Sequence, residues 1–510
     1  MRYVLGIDKG TSVIKAVVFD ETGRACGIGQ RRMQVLQPRQ GWHEEDPEAT
    51  WAACVAVIRE ALASANVPAT HIAAIGIAGH MGGAWLIDGT GRPVRNAICW
   101  PDSRAQADQL ALEEASRLNE IFEISGNGLM PGITTMILGW LSRHEPQALE
   151  RTRAILCAKD YLRYRLTGAV ATDPSDVSFV PGDIDERRHS ARVLELCGAL
   201  EWTAKMPDIR DSGAISGSVT AQAALETGLV EGAPVVTGLG DACANAIGVG
   251  AVRPGAALTI LGTSCLNSQV LAGADRAPAG LGFLFSMPLE RYLRILPNTS
   301  GTIAFDWFLE RFGAPETVDG ATDFAALEKA AAAIPRGAGG VVLIPYVNGS
   351  GVLAPFFDTL ARGSFFGVGS HTTRDHLLRA VYESLCFATR DCFEAMSTAP
   401  TSLVLTGGGS KSGFWAQMFA DVCRLPIEIA AVEESGALGV ALLAGVAVGI
   451  WSDIEQAVSH TVRIAARFEP NRHAADEYDG WFDLYRRARD VYRTYSAARS
   501  RLVSEAEVAA

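Results

Sequence analysis

In the stretch VLGIDKGTSVIKAVVFD (residues 4–20), Asp8 stands beside Gly10, Thr11 and Ser12, between two β-branched runs. A tight turn needs only turn residues, so a carboxylate next to the Gly10 kink calls for a chemical reason. The pattern recurs in ALTILGTSCLNSQVL (257–271), where Gly262, Thr263 and Ser264 again lie between apolar runs. Two turns that each offer backbone N–H groups and hydroxyls, one per domain, can grip a polyphosphate from both sides, as a nucleotide between paired domains requires. Asp8 can hold Mg²⁺ directly or through water and so offset phosphate charge, and Lys15 adds a cation. Asp241, in APVVTGLGDACANAIGVGAV (233–252), follows a strand and a glycine turn and opens a helix. That context makes it a candidate general base for an attacking hydroxyl. The same grammar at TSLVLTGGGSKSGFWAQMFADV (401–422) puts Gly407, Gly408, Gly409 and Ser410 ahead of a helix N-terminus. Free N–H groups and the helix dipole favour an anion or nucleotide there.

Each piece has a simpler reading when taken alone. Asp8 can accept turn hydrogen bonds, Asp241 can cap a helix, Lys15 can face solvent from its strand, and a glycine run can be only a tight turn. Their order along the chain, which is that of a two-domain kinase cleft, favours the chemical reading.

The elements that must position these residues follow from periodicity. Tyr3 to Ile7 and Val13 to Phe19 read as strands of a β-meander, with ETGR (21–24) as the next turn. EEDPEATWAACVAVIREALASA (44–65) has an acidic start, a proline in the first turn and helical apolar spacing. IAAIGIAGHMGGAWLID (72–88) reads as strand, a break at Gly79 to Gly83, and strand again; such a break brings loop residues to a ligand. Residues 131–168 read as mostly helical, ending on Gly168. GALGVALLAGVAVGIW (436–451) is short for a membrane span and rich in glycine, so it reads as a buried, closely packed helix. The aromatic residues Tyr478, Trp481, Phe482, Tyr485, Tyr492 and Tyr495 have helical spacing and read as a packing face on a last helix over about 474–505.

A chain of 510 residues exceeds one hydrophobic core, and the repeated turn at 10 and 262 points to two related domains, 1–247 and 248–510. The net charge of −12 argues against nucleic acid or an anionic membrane surface as partner. Ten scattered cysteines with no Cys-x-x-Cys, and a start unlike a signal peptide, fit a reducing, cytoplasmic setting.

Taken together, GIDKGTSVIKAVVFD, EEDPEATW, CWPDSRA, KDYLRYRLTG, GLGDACANAIGVG and TGGGSKSGFWAQMFADV resemble the FGGY carbohydrate kinases along nearly the whole chain. Most specific is GSFFGVGSHTTRDHLLRAVYES (363–384), which satisfies the family's C-terminal signature from Gly363 to Glu383; GITTMILGWLSRH (132–144) fits the N-terminal one except that Ile137 replaces the usual lysine. The resemblance implies an α/β chain of two actin- and hexokinase-like (ribonuclease H-like) domains around a nucleotide and sugar cleft. It implies an enzyme that uses ATP and Mg²⁺ to phosphorylate a small sugar, and a homodimer. By analogy Asp8 is a metal residue, and Gly10, Thr11, Ser12 and Lys15 belong to the first phosphate hairpin. Gly262 and Thr263 form the second, Gly301 lies near the nucleotide, and Gly407, Gly408, Gly409 and Ser410 form the adenosine loop. Asp241 is the catalytic base and also stands with metal and sugar, and His80, Met81, Trp100, Asp102 and Arg104 line the sugar pocket, although Arg104 can instead simply pair with Asp102.

The expected acceptor is a pentulose of xylulose type. The alternatives are a polyol such as erythritol or a non-catalytic sugar-binding regulator; an actin-like assembly ATPase is a further rival that the sugar-side segments disfavour. Xylulokinases typically read Gln-Met-His-Gly where this chain reads His80, Met81, Gly82, Gly83, and place asparagine where Ala242 stands. Those departures predict that D-xylulose itself is a poor substrate beside another four- or five-carbon polyol or ketose.

Overall fold

The computed structural model describes residues 2–317 and 321–509, arranged as two compact units. The first comprises 1–254, 270–294 and 431–463, and the second 255–269, 295–430 and 464–510. A single break near residue 248 therefore does not describe the path of the chain, because two later segments return to the first unit.

Seven strands build the sheet of the first unit: β1 (Tyr3–Lys9), β2 (Val13–Asp20), β3 (Ala25–Arg32), β4 (Ile72–Gly79), β5 (Ile215–Ser218), β6 (Pro234–Val236) and β7 (Leu239–Gly240). Their order is β3-β2-β1-β4-β6-β5, with β7 also on β4. β1, β2 and β3 form the expected antiparallel meander, whereas β4 lies parallel to β1, and β6 and β7 lie parallel to β4. The Pro47–Ala65 helix starts where its sequence signals place it. The Asp46 carboxylate accepts from the amides of Glu48 and Ala49, Pro47 needs no N–H at the first position, and Asn66 closes the helix in the left-handed region. Its Trp51, Val57 and Ile58 pack with Leu5, Ile7, Ile75 and Ile77 in the main core.

The glycine-rich segment expected as a buried helix is the Ser435–Ala447 helix, and it belongs to the first unit. Small residues on both sides explain why it lies so close to the sheet. A Cβ on Gly6 would overlap the carbonyl of Ala437, one on Gly76 that of Val440, and one on Gly439 that of Ala244. The region 131–168 is mostly helical and closes on Gly168 as expected, with one interruption: Thr152–Leu156, a short apolar run after the Pro146–Arg151 turn of helix, is a strand. It pairs with Trp85–Asp88, so the strand that resumes after Gly83 belongs to a separate two-stranded ribbon and not to the main sheet.

The second unit carries β8 (Ala256–Leu261), most of β9 (Cys265–Leu271), the second half of β10 (Arg291–Asn298), β11 (Ser402–Thr406), β12 (Ile427–Ala430) and β13 (Ile464–Phe468), in the order β10-β9-β8-β11-β12-β13. β8 and β9 form an antiparallel hairpin, and β11 and β12 run parallel to β8. The last helix, Arg472–Ala509, buries Tyr478, Phe482, Tyr485 and Tyr492, so the aromatic stripe is a packing face, with Tyr495 left exposed. Among the described residues, no helix is long and apolar enough to cross a membrane.

Candidate active site

In the first unit the candidate residues gather at the carboxyl ends of three adjacent parallel strands, where open α/β sheets bind ligands. The register sets Asp8 and Lys9 of β1 beside Ala78 and Gly79 of β4, and Leu239 and Gly240 of β7 beside the same two residues. Asp8, His80 and Asp241 therefore leave neighbouring strands at one edge. The first hairpin closes over Gly10, Thr11 and Ser12, and the Thr11 hydroxyl accepts a 3.0 Å hydrogen bond from the indole N–H of Trp100. Met81 packs over Gly240, where a Cβ would stand 2.7 Å from its Cγ.

The two aspartates are electrostatically unusual. Burial, with the Asp8 carboxylate adding to it, lifts the Asp241 carboxyl to about 7 against the pull of the Ala242 amide and Lys9. Burial lifts Asp8 to about 6; Lys15 and Lys9 oppose this and Glu434 adds to it. Oδ1 of Asp8 is buried without a hydrogen-bond partner, and Gly436 lies so close that a Cβ there would overlap Oδ2. Oδ1 of Asp241 accepts from the Ala242 amide at 2.7 Å. Lys15 reaches the site already paired, 2.7 Å from Glu434.

His80 is buried above a hub that sequence reasoning did not identify. The Glu45 carboxylate lies 2.9 Å from Lys9 Nζ and 3.3 Å from His80 Nε2, and also accepts from Thr50 and Cys99. Burial pushes Glu45 up, but His80 and Lys9 outweigh it and hold the carboxyl at about 2. Burial, with Lys9 nearby, lowers His80 despite Glu45, so the imidazole is neutral at physiological pH.

Asp102 and Arg104 are paired with one another. Asp102 accepts from the amides of His43 and Arg104 and from two guanidinium nitrogens of Arg104, at 2.7 to 2.9 Å. Arg104 also reaches Glu44 at 2.7 Å and lies over the Trp42 ring, 4.0 Å from its centroid.

In the second unit the candidates meet at the ends of β8 and β11. The hairpin turn of Gly262, Thr263 and Ser264 is locked to the 301 turn, because the Gly301 amide donates to the Thr263 carbonyl and the Thr302 amide to the Gly262 carbonyl. A Cβ on Gly301 would overlap the Gly262 carbonyl oxygen, so only glycine permits that approach. Gly407 lies against Leu261 at the end of β8, Gly408–Lys411 is a single turn of 3₁₀ helix, and Ser412 caps the Gly413–Cys423 helix through a 3.0 Å bond from the Trp415 amide.

Residues 3–248 match the N-terminal domain, and residues 257–448 the C-terminal domain, of the FGGY family of carbohydrate kinases. The chain belongs to this family. It is therefore a carbohydrate kinase, and its similarities lie among xylulokinase-like members. It is 30% identical over 505 residues to an erythritol kinase from Brucella abortus, covering 95% of each chain. It is 33% identical over 450 residues to a xylulose kinase from Escherichia coli, covering 87% of this chain and 90% of the other. The crystal structure of a xyloylose kinase from Brucella ovis superposes with a TM-score of 0.86 at 30% identity, over 97% of this chain and 100% of that one.

Proposed function

We propose that the protein transfers the γ-phosphoryl group of ATP to a hydroxyl of a four- or five-carbon ketose or polyol, with Asp241 as the general base. The observation that carries this reading is the pair of half-buried carboxyls, Asp8 and Asp241, at the carboxyl ends of β1 and β7. A carboxyl lifted to about 7 is matched to accepting a proton at working pH. The strand order β3-β2-β1-β4-β6, antiparallel then parallel, supports an actin- and hexokinase-like fold for the first unit.

The donor set fits Mg²⁺, because the unpartnered buried Oδ1 of Asp8 is the hard oxygen such an ion takes, with Asp241 beside it. When bound, the ion neutralises charge on the phosphoryl oxygens. The amides and hydroxyls of Gly10, Thr11 and Ser12, and those of Thr263, donate to phosphate oxygens, while the Gly262 amide shapes the second turn through its bond to the Ser264 carbonyl, and the 407–410 turn receives the adenosine. Gly301→Ala is expected to raise the KM for ATP at least about fivefold, with the acceptor KM within about twofold of wild type, since the added methyl displaces the Gly262 and Ser264 carbonyls of the second hairpin. An unchanged ATP KM removes the second hairpin from the nucleotide site.

For the acceptor, the relatives name xylulose and erythritol, and the pocket favours a preference other than D-xylulose. A Cβ on Gly82 would stand 3.1 Å from the Phe179 ring, so a phenyl wall occupies the direction in which the xylulokinase histidine would point. A site lacking that donor loses its selectivity for the hydroxyl it would bind. Coupled ADP release with D-xylulose, L-xylulose and erythritol tests this. D-Xylulose is expected to give the lowest kcat/KM of the three, and His80→Ala to lower kcat/KM for the best one. D-Xylulose as the best acceptor contradicts this reading of the pocket.

A further inference from the structure

Beneath the site lies a cluster of five fully buried ionisable groups that the reaction itself does not use: Lys159, Asp160, Arg163, Asp173 and Asp176. Lys159 Nζ lies 2.7 Å from Asp160, 2.9 Å from Asp173 and 2.8 Å from Asp176, and Arg163 is 2.8 Å from Asp160. Burial pushes the Asp176 carboxyl up against the pull of Lys159, with Asp160 and Asp173 adding to the rise. Burying such a set is costly, and well-packed apolar residues would stabilise a core as well or better. What the cluster holds explains its presence.

Arg163 ties the cluster to the Ala171 carbonyl, and two further ties reach the short segment that delivers Asp241. The Arg163 guanidinium donates to the Thr237 carbonyl at 2.7 Å. Lys159 packs its stem against both Gly79 and Gly238, the glycines at the ends of the strands flanking the site. Asp173 accepts from the hydroxyl and amide of Ser175 at 2.7 and 3.0 Å, and from the Ser212 hydroxyl at 2.7 Å. The Ser175 oxygen, its proton committed to Asp173, accepts the Gly240 amide at 2.8 Å. β7 is only two residues long and pairs on one side, so this bond fixes the Leu239–Gly240 peptide, one residue ahead of Asp241. On the other side, Asn245 donates to the Asp241 carbonyl at 2.9 Å and accepts from Ser435.

We propose that the chain Lys159, Asp173, Ser175 is a positioning device, which sets the direction from which the Asp241 carboxylate meets the acceptor hydroxyl by holding the Gly240 amide. The inference rests on the reading of Asp241 as general base. None of the three residues touches substrate; they act through the backbone, where a small displacement of the base lowers the rate of transfer without weakening the binding of either substrate.

Ser175→Ala removes the acceptor of the Gly240 amide, whereas Ser212→Ala removes an equivalent hydroxyl from the same carboxylate without touching Gly240. With the best acceptor among erythritol, D-xylulose and L-xylulose, Ser175→Ala is expected to lower kcat at least about tenfold with both KM values within about twofold, and Ser212→Ala to leave kcat within about twofold. Wild-type kcat in Ser175→Ala, an equal kcat loss in Ser212→Ala, or a loss confined to KM overturns the proposal. Asp241→Asn, assayed beside them, separates the two readings: if it turns over normally the base assignment falls, and if it is inactive while Ser175→Ala is normal only the positioning role falls. Hydrogen exchange of the wild-type chain gives a measure independent of the variants. The Thr237, Gly238 and Gly240 amides, bonded to the Ala214 and Ser212 carbonyls and the Ser175 hydroxyl, are expected to be protected to the level of β4, and rapid exchange there contradicts the device.

Discussion

Asp241→Asn is expected to lower turnover at least about 100-fold while leaving the KM for ATP within about twofold, the scale of a lost positioned base. Asparagine keeps the oxygen that accepts the Ala242 amide, so the local geometry survives and the loss reports on proton transfer. The same substitution has the opposite effect on stability. The Asp241 carboxyl is lifted from its ordinary 3.8 to about 7, so the folded chain holds its proton more tightly than the unfolded one. Its stabilising contribution is full below about pH 4 and is lost as pH rises through about 7. In metal-free protein, Asp241→Asn should therefore raise the melting temperature at pH 8 by several degrees and change it little at pH 4. Near-wild-type turnover, or a variant less stable than wild type at pH 8, contradicts this account of the residue.

Asp8→Ala should show the second largest effect, with turnover lowered on the order of 100-fold and the Mg²⁺ concentration for half-maximal rate raised, while the acceptor KM changes little. The reason is geometric: Asp8 ends β1 with a buried, unpartnered oxygen, and Gly436 on the adjoining helix leaves the room it needs. The measurement is a Mg²⁺ titration of rate at saturating ATP and acceptor. A sharp rise in acceptor KM with an unchanged Mg²⁺ response places Asp8 on the acceptor instead.

Much of this site was legible because its signals are local. Gly-Thr-Ser between two apolar runs specifies a hairpin, and a strand, a glycine turn and an aspartate at a helix start specify where Asp241 stands; the register of β1, β4 and β7 then brings Asp8, His80 and Asp241 to one edge. The pairing of Arg104 with Asp102 was visible as one of two readings, since the residues are two apart. Interactions between distant segments were not legible. Lys9 looks like a turn-flanking lysine, and nothing near it shows that Glu45, on a two-residue strand, will neutralise it in the core. Lys159 lies in the stretch that reads as mostly helical and Asp173 beyond its end at Gly168, so their meeting under Gly240 appears only once the backbone closes. The Ser435–Ala447 helix was recognisable as buried, but its membership of the first unit depends on Gly6 and Gly76, whose meaning is fixed only by the helix that covers them.

The account's central claim is phosphoryl transfer from ATP to a small polyhydroxylated acceptor through Asp241. The most direct test incubates the purified protein with ATP and Mg²⁺ and, in turn, tetritols, pentitols, pentuloses, hexuloses and glycerol, and measures ADP and the phosphorylated product by mass spectrometry. The account predicts one phosphate ester formed in equal amount to ADP from a four- or five-carbon acceptor, abolished without Mg²⁺ and in Asp241→Asn. ADP formed with no phosphorylated acceptor anywhere in the panel, or an ester that still forms at the wild-type rate in Asp241→Asn, would contradict it.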